Sequence, residues 1–221
     1  MLKMSFGVPN DTMQKALLLG AHSDDIEIGC GGTVLELIEK RPDVEITWVV
    51  LSANGERKIE AQRSAQAFLR DVQQKQIILK DFKDGYFPFH GAAIKDVFEQ
   101  LKGELSPDIV FTHHRNDLHQ DHRLISELTW NTFRKQMILE YEIPKYDGDL
   151  GSPNFYIPLK ESNCRQKVAL LKDIFTTQRA KNWFADDLFY SLMRLRGMEA
   201  RSPSNYAEAF YAYKVIAFLG E

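Results

Sequence analysis

Apolar runs of strand length alternate with helix-length amphipathic segments through the first half of the chain. The predicted strands are residues 15–20, 44–51, 76–79 and 108–112. The helices predicted between them are residues 33–39, 58–70 and 94–105. Alternation of this kind predicts parallel strands joined by right-handed helical crossovers. We therefore expect an α/β fold with a mostly parallel sheet flanked by helices.

The pattern is less regular in the second half of the chain, but it continues without a break. A further helix is predicted to begin near residue 121 or 122, with a strand at 137–142 after it. The remaining predicted elements are helices at 161–175 and 186–196 and a closing strand at 207–219. No repeat, low-complexity tract or linker divides the sequence, so we expect one domain over residues 1–221.

Composition limits the classes of protein to consider. The 221 residues are 44% hydrophobic with a formal net charge of −3, and no basic stripe offers contacts to nucleic-acid phosphates. Cys30 and Cys164 lie far apart, which suits a reducing compartment better than a disulfide framework. Residues 1–12 lack a signal pattern, and no apolar run is long enough for a bilayer. We expect a soluble cytoplasmic protein whose oligomeric state, a homo-oligomer included, stays open.

Two short motifs carry the candidate chemistry, and each follows a predicted strand. They are Ala21-His22-Ser23-Asp24-Asp25-Ile26-Glu27 and His119-Gln120-Asp121-His122. Imidazole and carboxylate groups are the usual ligands of a divalent ion such as zinc, and catalytic sites use three protein ligands so that water keeps the fourth position. We interpret His22, Asp25 and His122 as the ligands of one Zn²⁺ per chain. Iron(II), cobalt or manganese also suits such a set.

The spacing within each motif has a physical reason. The first motif leaves a strand and turns toward a helix, so its side chains lie at the carboxyl end of a strand, where open α/β sheets place their ligands. Neighbours in a turn point in different directions, so Asp25 can hold the metal while Asp24 faces the bound water as a general base. In a helix, His119 and His122 share one face of the first turn. His119 then acts as a cation or hydrogen-bond donor beside the metal.

These residues resemble the LmbE-like, or PIG-L, family of zinc-dependent N-acetylglucosamine deacetylases, and the resemblance extends to Gly29-Cys30-Gly31-Gly32 and the helix start Arg57-Lys58-Ile59-Glu60-Ala61. It implies a Rossmann-like fold and an enzyme that removes the N-acetyl group of an amino sugar and releases acetate. The roles that it implies are metal ligation by His22, Asp25 and His122, general-base catalysis by Asp24, oxyanion stabilisation by His119, and substrate contact by Arg57. Asp121 resembles the residue that orients a catalytic histidine, and we expect it to hold the imidazole of His119. Ser23 departs from the family, which usually has proline there.

Structural interpretations compete with these roles. Carboxylates ahead of a helix, such as Asp24 and Asp25, often serve only as caps. Arg57 at a helix start also suits an ion-pair partner. The glycines at 29–32 suggest a phosphate cradle of a dinucleotide-binding fold, but the neighbouring carboxylates would repel a pyrophosphate. We expect these glycines to let the backbone pack closely behind the metal loop.

Three further polar residues lie near the second motif. His113 and His114 are expected to pack or to support the ligands rather than bind the metal. Asp117 either orients His119 or a sugar hydroxyl, or bonds its own backbone.

The substrate beyond its acetamido group is left open. Residues 141–150 are typical of a loop that borders a sugar pocket or of a solvated connection. A nucleotide- or lipid-linked sugar would bring a phosphate, whose candidate partners are otherwise ordinary surface cations: Lys145, Arg194, Arg196 and Arg201. A phosphoester hydrolase, which often uses two metals, is the second hypothesis. A metal that only braces the fold is the third, although structural zinc sites are closed and typically rich in cysteine.

Overall fold

Seven strands and six α-helices make up residues 15–216, the part of the chain that the computed structural model describes. The strands are β1 (Lys15–His22), β2 (Glu45–Ser52), β3 (Gln74–Leu79), β4 (Ile109–His113), β5 (Met137–Tyr141), β6 (Phe155–Pro158) and β7 (Ala207–Tyr211). The helices are α1 (Asp25–Lys40), α2 (Gly55–Phe68), α3 (Gly91–Glu104), α4 (Gln120–Thr132), α5 (Glu161–Ile174) and α6 (Asp186–Ala200). Phe87–His90 and Thr176–Gln178 form short 3-10 turns.

The strands form one sheet in the order β3-β2-β1-β4-β5-β7-β6. The first five strands in that order are parallel, whereas β7 runs antiparallel to both β5 and β6. The strand order reverses between β1 and β4, and open α/β sheets bind their ligands at the carboxyl ends of the strands at such a point. The predicted α/β fold with a mostly parallel sheet is confirmed.

Both faces of the sheet are covered by helices, which explains why the central strands read as continuous apolar runs. Leu17, Leu18 and Leu19 of β1 are all 0% exposed and alternate between the two faces. Leu18 packs in a core shared with α1, α2, α5 and α6. Leu17 and Leu19 pack in a second core with α3 and α4.

Helix α1 begins eight residues before its predicted start at residue 33, because the glycine segment is part of the helix. The helix is kinked at Cys30 (φ −143°, ψ 15°), and this frees backbone groups on both sides. The carboxylate of Glu208 accepts hydrogen bonds from the N–H groups of Gly32 (2.8 Å) and Thr33 (2.6 Å). The ammonium of Lys167 donates to the carbonyl of Ile28 and to Glu208, both at 2.7 Å. This buried ion pair therefore replaces the helical hydrogen bonds lost at the kink.

The glycines of α1 allow the close packing that we expected of them. A Cβ atom on Gly29 would lie 2.2 Å from the ring of Tyr141, and one on Gly32 would lie 2.6 Å from Leu159. Only glycine brings the helix this near to β5 and to the chain after β6.

The strands differ from the sequence prediction in two places. The prediction omits β6, and the closing strand that it places at 207–219 ends at Tyr211. Residues 217–219 lie outside the described residues, as do residues 1–12, for which the absence of a signal pattern was predicted. No helix within residues 15–216 is long and apolar enough to cross a membrane.

Candidate active site

The two sequence motifs meet at the carboxyl ends of β1 and β4. His22 is the last residue of β1, Asp25 is the first residue of α1, and His122 lies in the first turn of α4. The Nδ1 atom of His22 lies 3.2 Å from Oδ2 of Asp25 and 3.2 Å from Nε2 of His122. The Asp25 and His122 atoms are 3.5 Å apart. Three donor atoms from distant parts of the sequence therefore form one small triangle.

This triangle has the dimensions of a metal site. Ligand atoms at about 2.0–2.2 Å from a tetrahedral zinc ion lie about 3.3–3.6 Å from one another. Burial and the neighbouring His113 lower the pKa of His122 to about 4, so its ring is neutral at pH 7 and has a lone pair to offer. Burial opposes ionisation of Asp25, but His122, His22 and His113 outweigh it and hold the pKa of this carboxyl well below its usual range. Burial lowers the pKa of His22, but Asp25, Asp121 and Asp84 outweigh it and hold that pKa well above its usual value, so a cation that binds here displaces a proton from this ring. With that proton displaced, two imidazoles and a carboxylate are a donor set that suits a divalent cation.

Asp121 contacts His22 rather than His119. Its Oδ2 lies 3.2 Å from Nε2 of His22, and its two oxygens also accept hydrogen bonds from the backbone N–H groups of Gly85 (2.7 Å) and Phe87 (3.1 Å). The expected contact between the Asp121 carboxylate and the His119 ring is not among the hydrogen bonds of the described residues. This carboxylate instead holds the second nitrogen of His22 and so directs Nδ1 toward Asp25.

Asp117 supports the other histidines. Its Oδ2 lies 2.9 Å from Nδ1 of His122, and its Oδ1 accepts the backbone N–H of His119 at 2.8 Å. We considered from the sequence that Asp117 orients His119. Asp117 contacts the backbone of His119 and not its ring. The ring of His119 accepts the N–H of Asp121 at Nδ1 (3.3 Å), which leaves its proton on Nε2.

His113 lies beside the triangle and, with Asp25 and His122, forms another group that could hold a metal ion, whereas His114 lies away from it. His113 stacks on His122 with ring centroids 3.9 Å apart, and its Nε2 lies 3.3 Å from Oδ2 of Asp25. His114 pairs with Glu140 at 3.0 Å, away from the triangle.

Asp24 precedes Asp25 in the chain, and only one of its two carboxylate oxygens has a hydrogen-bond partner within residues 15–216. Its Oδ1 accepts a hydrogen bond from Arg57 at 2.9 Å, and Arg57 also pairs with Asp84 at 3.3 Å. Its Oδ2 is buried and has no hydrogen-bond partner within residues 15–216. Burial raises the pKa of Asp24, although the Arg57 guanidinium acts in the opposite direction. Ser23, at the position of the family's proline, ties this turn to the carbonyl of Ser52 at 3.3 Å.

A cleft of about 320 Å³ opens above these residues. Besides the motif residues and Arg57, its lining comprises Asp84, Ile143, Lys145, Tyr146, Asp147, Gln178, Lys181 and Trp183. The loop after β5, a candidate pocket border in the sequence, thus forms one wall of the cleft.

The structure disfavours the candidate phosphate contacts. Arg196 is buried and binds the carboxylates of Glu142 (2.8 Å) and Glu199 (2.9 Å), so it is not free for a substrate. Neither Arg194 nor Arg201 is among the residues that line the cleft. Lys145 does line it, but its ammonium contacts Asp117 and Asp149.

Sequence reasoning missed Asp84 and the wall from Gln178 to Trp183. Asp84 lies 3.1 Å from Nε2 of His22 and holds Arg57, and the pKa of its carboxyl is about 2, lowered chiefly by the hydrogen bond to His22. Its only signal in the sequence is its place after a predicted strand. No motif marks Gln178, Lys181 or Trp183.

Comparison with protein families gives a match over residues 17–133 to the family described as PIG-L, GlcNAc-PI de-N-acetylase. The match covers β1 to α4 and includes both motifs. The chain belongs to the PIG-L family. Among curated proteins, the uncharacterized deacetylase YaiS of Escherichia coli K12 is 28% identical over 168 residues, which are 71% of this chain and 88% of YaiS.

Solved structures with the same fold include enzymes that are named for different reactions. The conserved protein TT1542 from Thermus thermophilus has a TM-score of 0.71 at 19% identity, covering 94% of this chain and 98% of that chain. N,N'-diacetylchitobiose deacetylase from Pyrococcus horikoshii has a TM-score of 0.65 at 20% identity, covering 93% and 88%. The 4-carboxy-2-hydroxymuconate hydratase GalB from Pseudomonas putida has a TM-score of 0.68 at 16% identity, covering 95% and 100%. Likeness at this level of identity shows the fold alone.

Proposed function

We propose that this protein is a metal-dependent N-deacetylase that hydrolyses the acetamido group of an N-acetylated amino sugar, or of a conjugate of one, and releases acetate. Membership of the PIG-L family supports the reaction class. The observation that carries the proposal is the triangle of His22, Asp25 and His122 donor atoms, 3.2–3.5 Å apart, directly beside the buried Asp24.

In this proposal His22, Asp25 and His122 hold one divalent ion per chain. Zinc is the first candidate, and iron(II), cobalt and manganese are the others. When bound, such an ion polarises the amide carbonyl and lowers the pKa of a water molecule. A purely structural ion is disfavoured because the ligand residues line an open cleft and include no cysteine.

Asp24 is the general base. Arg57 fixes one oxygen of its carboxylate, while the other oxygen has no partner within the described residues and stays available to accept a proton from the attacking water. The same carboxyl then returns the proton to the leaving amine. Burial raises the pKa of Asp24 against the opposing effect of Arg57, and a more basic carboxylate accepts a proton from water more readily.

His119 stabilises the negative charge that develops on the amide oxygen. The backbone N–H of Asp121 engages Nδ1 of His119, so that the Nε2–H remains to donate a hydrogen bond in the cleft. Asp121 itself acts on His22, as described above. We assign to Arg57 and Asp84 the binding of sugar hydroxyls, because a guanidinium and a carboxylate at the cleft surface complement hydroxyl groups in both donor and acceptor roles.

The experiment is to incubate metal-loaded protein with N-acetylglucosamine and its nucleotide-, malate- and lipid-linked forms and to measure released acetate. Asp24→Asn should lower kcat by about 10²–10⁴-fold and keep the metal. His22→Ala should lose the metal as well. Asp71→Asn, which changes an exposed aspartate after α2, is the control and should keep full activity.

Three results would count against the proposal. Absence of acetate from every sugar would refute the deacetylase assignment. Release of phosphate instead, with two metals per chain, would favour the phosphoester hydrolase. Full activity in Asp24→Asn would remove Asp24 as the base.

A further inference from the structure

Lys145 lines the cleft, but its ammonium is engaged by oxygen atoms of the protein. Its ammonium contacts Oδ2 of Asp117 at 3.0 Å, the carboxylate of Asp149, and the carbonyl of Ile143 at 3.5 Å. Two of these partners are carboxylates, which bind an ammonium more strongly than a neutral carbonyl does. The side chain is only 11% exposed. Lys145 therefore acts on its protein neighbours.

The two carboxylates that Lys145 joins both hold the loop that precedes α4. Asp149 accepts the backbone N–H of Leu118 at 2.7 Å, and Asp117 accepts that of His119 at 2.8 Å. The side chains of Asp117 and Asp149 are 3% and 6% exposed. Buried carboxylates are costly unless they are paired, and Lys145 is the cation that lies between these two.

Asp117 in turn decides which nitrogen of His122 is free. Its Oδ2 lies 2.9 Å from Nδ1 of His122, so the ring donates from Nδ1 and keeps a lone pair on Nε2. That Nε2 is the atom 3.2 Å from His22 and 3.5 Å from Asp25. A carboxylate that moved away from Nδ1 would leave the tautomer and the orientation of the ring unfixed.

We propose that Lys145 is a positioning residue that fixes the tautomer and orientation of His122 through Asp117, and thereby sets the metal affinity of the site. The inference rests on the proposed function in taking His122 as a metal ligand. Lys145 and Asp149 lie beyond residue 133, where the family match ends, so they belong to the part of this chain that the match does not cover.

The test is the affinity of Lys145→Met for Co²⁺, measured by competition with a chelator, together with the ¹⁵N spectrum of the histidine rings in the metal-free protein. We expect the affinity to fall about 10–100-fold and the His122 signals to shift toward a mixture of tautomers. Lys145→Arg keeps a cation and should recover most of the affinity. Lys102→Met, which changes a surface lysine of α3 that is 54% exposed, should leave both readouts unchanged.

A second variant covers the case in which Lys145→Met does not fold. Lys145→Met/Asp149→Asn removes the cation and one of its two carboxylates, so it adds no net buried charge and should still bind Co²⁺ weakly. Unchanged affinity and an unchanged His122 tautomer in either folded variant would overturn the inference. A wild-type protein that binds no metal would instead refute the proposed function, which keeps the two failures distinguishable.

Discussion

Lys167→Met tests how much the buried ion pair at the kink of α1 contributes to stability. Lys167 and Glu208 are 3% and 4% exposed, and the methionine side chain keeps most of the lysine stem in place. The variant loses the ammonium that donates to Glu208 and to the carbonyl of Ile28, both at 2.7 Å. It therefore leaves a buried carboxylate without its cation and a backbone carbonyl without its donor.

Breaking a buried pair on one side costs about 3–5 kcal/mol. Because the total stability of a domain is about 5–15 kcal/mol, the free energy of unfolding should fall by about a fifth or more. For a chain of this size, such a loss lowers Tm by about 6–20 °C.

The assay is urea denaturation of wild type and variant in the presence of a chelator, so that metal binding to the folded state does not mask the difference. Arg165→Met is the control on the same helix, because Arg165 pairs with Glu161 at the surface, where the side chains are 61% and 60% exposed. It should cost no more than about 0.5 kcal/mol. A loss below about 1 kcal/mol in Lys167→Met would refute the reasoning.

Three further predictions concern packing and the candidate metal site. Gly29→Ala should lower the free energy of unfolding by about 1–3 kcal/mol in urea denaturation, because its Cβ would lie 2.2 Å from the Tyr141 ring, whereas Gly103→Ala, in open space on α3, should not destabilise. Asp121→Asn should weaken metal binding about 10–100-fold in chelator competition, because the Asp121 carboxylate orients His22. Removal of the metal by dialysis against a chelator should lower Tm, and adding zinc back should restore it; an unchanged Tm would argue against a metal held by the folded state.

The parallel strands of the core could be predicted because each one is marked by the residues of its own segment. Strands buried on both faces leave continuous apolar runs, and β1, β2 and β4 each show one. β6 could not be found in this way, since it has four residues, is partly exposed along its length and ends in a proline. Its position depends on pairing with β7, which lies about 50 residues away in the sequence.

The start of α1 could not be predicted from the local sequence. Three glycines in four residues indicate a helix breaker, and the helix is indeed kinked there, at Cys30. It continues because Lys167 and Glu208, more than 130 residues away in the sequence, supply partners for the freed backbone groups. Asp25 is consequently the first residue of a helix rather than part of a long loop.

In the candidate site, too, some features could be predicted from the sequence and others could not. His22, Asp25 and His122 belong to compact motifs at strand ends, so their convergence could be expected from a parallel sheet. The partner of Asp121 could not, because the choice between His22 and His119 depends on how the 3-10 turn at Phe87–His90 and the loop before it place the backbone N–H groups that hold the carboxylate. Asp84 reaches His22 from that same loop.

The part of the chain that lies outside the family match supports the candidate site. Residues 17–133 contain both motifs, yet groups from the rest of the chain hold those motifs in place. Lys167 and Glu208 support the kink just behind Asp25, and Lys145 supports Asp117 behind His122. Because ligand atoms must be held within a few tenths of an ångström to keep metal affinity, these supports should influence binding as strongly as residues nearer the cleft.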